Sequence, residues 1–291
     1  MLKRDVLRKE IAMVHTESNR KSPDGLTLYT QTWQPDITPV AVITLIHGLG
    51  DHSGRYHSWA SKFVEKGIAV RAIDLRGHGK SEGRRGFSSS YSKVISEIED
   101  FYQSGIQEFE NIPHFLYGHS MGGNYVLNCV IQSSIQPTGI IVTSPWLELT
   151  NPPNPLSVML AGAVSSFLPM ITVNNRLKAE DLSRDFRVVH TYKNDPLVHD
   201  RIGIKIFVQL FEAGIKASRS IYKINSPLLV THGSSDNITF CKASRNFVRN
   251  ASNRTSYIEF ENGYHELHND NESDKVFDAI IAWMNQVLNT K

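Results

Sequence analysis

The sequence predicts an α/β fold in which a doubly wound, mainly parallel sheet is flanked by helices. Short apolar runs, typical of strands buried on both faces of a parallel sheet, alternate with segments of helical periodicity. Several of these runs end directly in polar or glycine-rich segments, where the ligand sites of such sheets form. The 291 residues, 40% of them hydrophobic, suffice for one large domain with a substantial core.

The strands and helices are predicted from this alternation. An antiparallel hairpin is expected first, over residues 11–18 and 26–34, with its turn at Ser22-Pro23-Asp24-Gly25. The core strands are predicted at residues 40–46, 69–74, 114–117, 139–144 and 255–260, and a strand with its turn is predicted at residues 228–235. Helices are predicted at residues 56–66, 91–108, 124–131, 240–250 and 273–288. Together the hairpin and the core strands give a sheet of the eight-stranded type.

The alternation breaks after residue 150, where Asn151-Pro152-Pro153-Asn154-Pro155 ends regular structure. No strand is predicted between residues 156 and 221, and apolar helices are expected at residues 156–168 and 204–211. We therefore divide the chain into a first core part (1–149), a helical cap insertion (150–222) and a second core part (223–291). The apolar cap helices have two interpretations: they pack on the core, or they line an apolar pocket and meet a lipid surface.

The motif Gly118-His119-Ser120-Met121-Gly122 lies between a predicted strand and a predicted helix. Strand, Gly-x-Ser-x-Gly and helix together are typical of a nucleophile elbow. Such a turn strains the backbone of its serine, so the residues two places before and after it must lack side chains. The pattern predicts that the hydroxyl of Ser120 is presented near the helix N-terminus, where negative charge is stabilised.

A serine hydroxyl needs a base, and the base needs an acid that orients it. Asp236 follows one predicted core strand and His265 follows the next, so both are expected at the carboxyl edge of the sheet. The chain order serine, aspartate, histidine is that of α/β hydrolases. We therefore predict Ser120 as nucleophile, Asp236 as acid and His265 as base. His119 is expected to point away from the serine hydroxyl, and His232 is expected to be structural.

An oxyanion hole requires two converging N–H groups. One is expected from Met121, directly after the nucleophile, and the other from the loop that follows the strand at residues 40–46. That loop has the sequence His47-Gly48-Leu49-Gly50, in which the Leu49 N–H is the predicted donor.

The overall composition excludes several classes of function. A formal net charge of +2 gives no reason to expect a nucleic-acid partner. No apolar run approaches the ~20 residues of a membrane-spanning helix, and the basic residues 3, 4, 8 and 9 precede no apolar signal region. Cys129 and Cys241 have no metal-site spacing, so free thiols and a cytoplasmic location are expected. The segment His265-Glu266-Leu267-His268 lacks the spacing of a zinc motif, and no metal or cofactor is expected.

From about residue 25 to the C-terminus, the sequence resembles the monoacylglycerol lipase and lysophospholipase branch of the α/β-hydrolase superfamily. The motifs that carry the resemblance are HGLGDHSGRY (47–56), DLRGHGKS (74–81), GHSMGG (118–123), SPW (144–146), NDPL (194–197) and YHELH (264–268). The resemblance implies the same nucleophile, acid, base and oxyanion donors. It also implies that Asp51, Arg55 and His268 border the glycerol end of the substrate, although animal lipases of this branch carry Glu in place of Asp51. An ion pair between Asp51 and Arg55 that steadies the loop is the alternative.

The predicted function is therefore hydrolysis of a carboxylic ester in a single-acyl lipid, with monoacylglycerol favoured. Transient contact with a membrane surface through the cap is expected. The alternatives are a lysophospholipase, a short-chain carboxylesterase and a non-catalytic binding protein on a hydrolase scaffold. An acyltransferase would need the same residues, because only the acceptor differs.

Overall fold

The computed structural model describes residues 11–133, 135–249, 251 and 254–290. The basic segment at residues 3–9 lies outside these described residues.

Ten strands are present in the described part of the chain, and eight of them form one sheet. The strands are β1 (Met13–Lys21), β2 (Thr27–Pro35), β3 (Ala41–Ile46), β4 (Ile68–Ile73), β5 (His114–His119), β6 (Gly139–Thr143), β7 (Thr172–Asn174), β8 (Arg201–Gly203), β9 (Leu228–Gly233) and β10 (Thr255–Phe260). Across the large sheet their order is β1-β2-β4-β3-β5-β6-β9-β10. The β1–β2 and β2–β4 pairs are antiparallel and the remaining pairs are parallel, which confirms the predicted α/β fold.

Eight α-helices connect these strands within the described residues. They are α1 (His57–Glu65), α2 (Tyr91–Glu108), α3 (Met121–Gln132), α4 (Pro155–Phe167), α5 (Phe186–Asn194), α6 (Ile204–Ser218), α7 (Cys241–Arg249) and α8 (Ser273–Asn289). Single 3-10 turns occur at Ser53–Tyr56, Ala179–Asp181, Ile221–Lys223 and Leu267–Asn269.

The large sheet is covered on both faces, which explains why its central strands have so few polar residues. On β5, Phe115 and Tyr117 point to the face covered by α1 and α8, whereas Leu116 belongs to the cluster formed with α2, α3, α6 and α7. All six residues of β3 and all six of β5 are buried. The parallel strands therefore bring the loops after β3, β5, β9 and β10 together at one edge of the sheet.

The expectation of no strand between residues 156 and 221 is wrong. Thr172–Asn174 pairs with Arg201–Gly203 in a two-stranded antiparallel ladder of three residues per strand. Hydrogen bonds to the core support this short ladder: Gly203 N donates to Gly86 O at 2.8 Å and His199 N donates to Gly50 O at 3.1 Å. Because these contacts join distant parts of the chain, the local sequence pattern does not show them.

The helices α4 and α6 of residues 150–222 pack against each other and differ in burial. On α6, Ile206, Leu210 and Ala217 are buried against the core, as expected for an amphipathic helix. On α4 only Val158 and Ser165 are buried, so burial accounts for one side of that helix. In the described part of the chain, every helix is too short or too polar to cross a bilayer. The predicted division at residues 150 and 222 stays a prediction.

Candidate active site

Ser120 lies in the sharp turn between β5 and α3, with φ +54° and ψ −117°. A positive φ is unfavourable for a residue with a side chain and is tolerated here because the surroundings fix it. A Cβ on Gly118 would lie 2.5 Å from the Gly122 carbonyl oxygen, and one on Gly122 would lie 2.2 Å from the Ile46 carbonyl oxygen. The glycines of the motif therefore allow the close backbone approach that the predicted turn requires.

The structure brings Ser120, His265 and Asp236 together. Ser120 Oγ lies 2.8 Å from His265 Nε2, and His265 Nδ1 lies 2.8 Å from Asp236 Oδ2. The three residues come from the loops after β5, β10 and β9, and they are 6%, 2% and 6% exposed. A hydroxyl, an imidazole and a carboxylate in this order can transfer the hydroxyl proton to the imidazole.

Further groups hold the carboxylate of Asp236. Its Oδ1 accepts from the N–H groups of Ile238 at 2.8 Å and Thr239 at 3.0 Å, and the Thr239 hydroxyl lies 2.8 Å from its Oδ2. Burial opposes ionisation of Asp236, but the charge of His265 and hydrogen bonds from His232 and His265 keep its pKa below the ordinary value. The carboxylate is thus oriented and charged.

The ring of His265 lies beside a second imidazole, that of His119. His119 lies 4.8 Å away between ring centroids, and its Nδ1 lies 3.0 Å from the Thr143 hydroxyl. Burial, together with His265 and His268, keeps the pKa of His119 well below its ordinary value. His119 is therefore neutral, and the imidazole in hydrogen-bond contact with Ser120 is that of His265.

The loop after β3 lies against the nucleophile. A Cβ on Gly48 would lie 3.4 Å from the Ser120 Cβ, and Leu49 lines the same cavity as Ser120. His47 holds this loop because its Nδ1 lies 2.7 Å from Gly48 O and its Nε2 accepts from Leu75 N at 2.9 Å. Met121 is the first residue of α3, so its N–H is at the helix N-terminus, as expected for an oxyanion donor.

A cavity of about 1040 Å³ lies above Ser120 and His265. Its floor comes from the core loops and its walls come largely from residues 150–222. Apolar lining residues include Leu149, Pro153, Val158, Ala161, Val173, Leu177, Ile202, Ile204 and Phe207. The cavity can therefore hold a long apolar group with its polar end near Ser120.

Two of the three residues predicted at the polar end, Asp51 and Arg55, form part of a buried ionic cluster. Arg55 donates to Asp51 Oδ1 at 2.9 Å and to both carboxylate oxygens of Glu266 at 2.7 and 2.6 Å. Tyr56 donates to Asp51 Oδ2 at 3.1 Å. The Asp51–Arg55 ion pair that was the alternative interpretation is present. Asp51 also lines the cavity, so the ion pair and a substrate contact are compatible.

His268 is buried behind this end of the cavity. Its ring stacks on Tyr56 at 4.7 Å, and within the described residues neither ring nitrogen has a hydrogen-bond partner. Burial lowers its pKa to about 4. Among the described residues that line the cavity, neither Arg55 nor His268 occurs, so their contact with substrate stays a prediction.

Sequence reasoning missed Glu266, Thr239 and Tyr192. Glu266 follows the predicted base, and its polarity in an otherwise buried segment was a usable signal. Thr239 and Tyr192 carry no recognisable motif, because their roles depend on contacts with Asp236 and Arg55 that only the fold creates.

The sheet order, the serine turn and the helical segment over the site define an α/β hydrolase. Residues 37–272 match the family described as "Serine aminopeptidase, S33". The chain belongs to this family.

The curated relatives include a monoglyceride lipase of Homo sapiens, 31% identical over 270 residues, with 90% of this chain and 88% of that protein covered. An uncharacterized abhydrolase domain-containing protein of Dictyostelium discoideum is 34% identical over 278 residues, and the chain spans 29% of its length. Among solved structures, the monoacylglycerol lipase of Paleococcus ferrophilus is 28% identical, with a TM-score of 0.79 and coverage of 95% and 100% of the two chains. The protein is a carboxylic ester hydrolase of the monoglyceride lipase-like type.

Proposed function

We propose that the protein hydrolyses single-acyl lipid esters, with monoacylglycerols as the favoured substrate class, through Ser120, His265 and Asp236. The observation that carries the proposal is the hydrogen-bonded chain from Ser120 Oγ to Asp236 at the floor of a large, mostly apolar cavity. An acyl chain fits the apolar walls, and hydroxyl groups fit the polar end beside Asp51.

In the proposed acylation step, Ser120 Oγ attacks the ester carbonyl carbon while His265 Nε2 takes the hydroxyl proton. Asp236 holds the imidazole in the orientation that presents Nε2 to the serine and stabilises the imidazolium. The tetrahedral intermediate collapses as His265 returns the proton to the leaving glycerol oxygen. Ser120 then carries the acyl group as an ester.

In deacylation, water attacks the carbonyl carbon of the acyl-serine while His265 takes a proton from that water. His265 then gives the proton to Ser120 Oγ as the fatty acid leaves. The N–H groups of Leu49 and Met121 are proposed to hold the oxyanion in both steps. Removing one such donor costs about 3 kcal/mol of transition-state stabilisation. All groups needed for these steps belong to the chain itself, and the acceptor is water.

We also propose that the protein is cytoplasmic and contacts membrane surfaces transiently through α4. Leu156, Met159, Leu160, Val164 and Phe167 are exposed on this helix, and Leu168 and Met170 continue the apolar surface. A surface of this size is larger than isolated exposed apolar residues would produce. Its position beside the cavity supports delivery of a lipid from a bilayer to Ser120.

The test is hydrolysis of 1-monoacylglycerols and lysophosphatidylcholines of matched chain lengths. Ser120→Ala removes the proposed nucleophile, and Ser58→Ala, on the exposed side of α1, is the control. We expect turnover of monoacylglycerols by the unaltered protein and by the control, and a loss of about 10⁴-fold or more in the Ser120 variant.

Hydrolysis of lysophosphatidylcholines alone would replace the monoacylglycerol proposal with a lysophospholipase. Equal hydrolysis of short soluble esters and long-chain lipids would favour a short-chain carboxylesterase. The absence of Ser120-dependent activity, together with no labelling by a fluorophosphonate, would leave a binding protein on a hydrolase scaffold.

A further inference from the structure

Glu266 occupies an unusual place for a charged residue. It directly follows His265, lines the cavity and is only 2% exposed. Its backbone N–H donates to the carbonyl oxygen of Leu182 at 2.8 Å, which ties it to residues 150–222. A buried carboxylate is costly unless a partner compensates its charge, so its contacts show what it does.

The partner is Arg55, whose guanidinium contacts both oxygens of Glu266 and one oxygen of Asp51. The flat face of the guanidinium lies over the Tyr192 ring, at 4.7 Å from the centroid. The side chain of Arg55 is only 7% exposed. The charge of Arg55 is therefore already compensated by the two carboxylates, and Arg55 is poorly placed to attract an anion from the cavity.

The cluster of Asp51, Arg55 and Glu266 has two carboxylates for one guanidinium. Although burial opposes ionisation, Arg55 keeps the pKa of Asp51 and of Glu266 below their ordinary values, so both are charged at neutral pH. One negative charge is left over, and both acidic residues line the cavity. Because Asp51 and Glu266 are only 3% and 2% exposed, solvent screens this charge less than it would screen a charge on the surface.

Other charges line the cavity on the cap side. Arg176 and Lys178 are exposed, so solvent and salt screen them, and Asp181 adds a negative charge near them. Asp51 lies two residues after Leu49, and Glu266 lies directly after His265. None of the three cap-side charges lies so close in the sequence to a residue of the candidate active site. Of these charged residues, those of the buried cluster are therefore nearest in sequence to the candidate active site.

We propose that Glu266 is a specificity-determining residue that makes the polar end of the cavity select neutral and cationic head groups over anionic ones. The inference rests on the proposed function only in placing the head group at this end of the cavity. Hydroxyl groups can donate to the carboxylates, whereas a phosphate or carboxylate head group would be repelled.

The test is direct binding of two ether lipids that cannot be hydrolysed, 1-O-octylglycerol and its 3-phosphate, measured by calorimetry below their aggregation concentrations. The quantity of interest is the ratio of the two dissociation constants. We expect Glu266→Gln to improve relative binding of the phosphate about tenfold and Arg55→Gln to weaken it by a similar factor. The matched control is Glu259→Gln on β10, which removes an equal charge that is paired with Arg245 of α7. We expect this control to leave the ratio unchanged.

Changes of opposite sign in the two variants support the inference, because loss of local structure alone would not produce them. An unchanged ratio in both variants would overturn it, as would failure of the neutral ether to bind. If Glu266→Gln does not fold, Asp51→Asn, which removes the other carboxylate of the cluster, takes its place and should also improve relative binding of the phosphate. Normal ether selectivity without Ser120-dependent hydrolysis would contradict the proposed function and leave this inference standing.

Discussion

His232 Nε2 lies 3.1 Å from Asp236 Oδ2, the same carboxylate oxygen that meets His265. The His232 ring is fully buried, and its Nδ1 lies 2.8 Å from the Ser244 hydroxyl on α7. Two imidazoles thus meet one carboxylate oxygen, and only one of them faces Ser120. His232 connects the acid of the candidate active site to α7 and limits the rotation of the carboxylate.

Replacing His232 with Leu should lower kcat about tenfold with little change in KM. The substitution removes a contact that positions Asp236, and positioning acts on the transition state more than on lipid binding. The measurement is steady-state hydrolysis of one monoacylglycerol over a range of concentrations. His190→Leu, on the exposed side of α5, is the control. An unchanged kcat in the His232 variant would show that the carboxylate is held by its other partners alone.

A second prediction concerns the serine turn. Gly122→Ala should destabilise the protein by about 3 kcal/mol or more, because the new methyl group would lie 2.2 Å from a backbone oxygen that cannot move without disturbing β3. The control is Gly162→Ala on α4, where the nearest atom would be 3.9 Å away. That variant should be more stable by about 0.5–1 kcal/mol, since alanine favours a helix.

Denaturant unfolding monitored by tryptophan fluorescence gives both free energies. Equal stability of the Gly122 variant and the unaltered protein would mean that the turn relaxes more easily than its contacts indicate. A destabilised Gly162 variant would mean that α4 is not helical at that position in solution.

The third prediction tests the apolar surface of α4. Substituting Leu160 and Phe167 together with Ser should weaken binding to phosphatidylcholine vesicles by about tenfold or more, because each side chain loses part of its transfer free energy of about 1.5–3 kcal/mol. Phe167 is 85% exposed and Leu160 55%, so the folded core should be little affected. Co-sedimentation with vesicles gives the affinity, and hydrolysis of a short soluble ester should stay unchanged.

Val40→Ser is the control for vesicle binding. Val40 is 56% exposed but precedes β3, at the opposite edge of the sheet from the cavity. If both substitutions reduce vesicle binding equally, the interaction is non-specific and α4 is not a membrane contact.

The fold could be predicted because its signals are local. The apolar run of β3 and the glycines around Ser120 each reflect a nearby physical requirement, burial on both faces or a close backbone approach. The short β7–β8 ladder could not be predicted, since residues 172–174 and 201–203 pair only where the core holds them together. Chain order placed Asp236 and His265 beside Ser120, because parallel strands end at one edge.

The ionic cluster at the polar end was predicted only in part. Asp51 and Arg55 are four residues apart and could be expected to pair, whereas Glu266 reaches Arg55 from a distant loop. The absence of hydrogen-bond partners for both nitrogens of His268 within the described residues also depends on what packs around it. That environment leads to the last prediction.

The protein should lose stability as the pH falls from about 6.5 to 4, and His268 should account for part of the loss. Burial is the main cause of its lowered pKa of about 4, Arg55 and His265 lower it further, and Glu266 and Asp51 act in the opposite direction. In the unfolded chain a histidine has a pKa of about 6.5. Between these values the unfolded state binds the proton and the folded state does not, so the free energy of unfolding decreases with decreasing pH.

For one histidine with this difference, the decrease reaches up to about 3 kcal/mol at pH 4. His268→Gln should therefore make the dependence of the free energy of unfolding on pH shallower in this window, whatever its effect on stability at pH 7. Urea unfolding at a series of pH values measures the slope, and His190→Gln, which removes an exposed imidazole from α5, is the control. An unaltered slope in the His268 variant would mean that this ring takes up its proton in the folded protein as readily as in the unfolded chain.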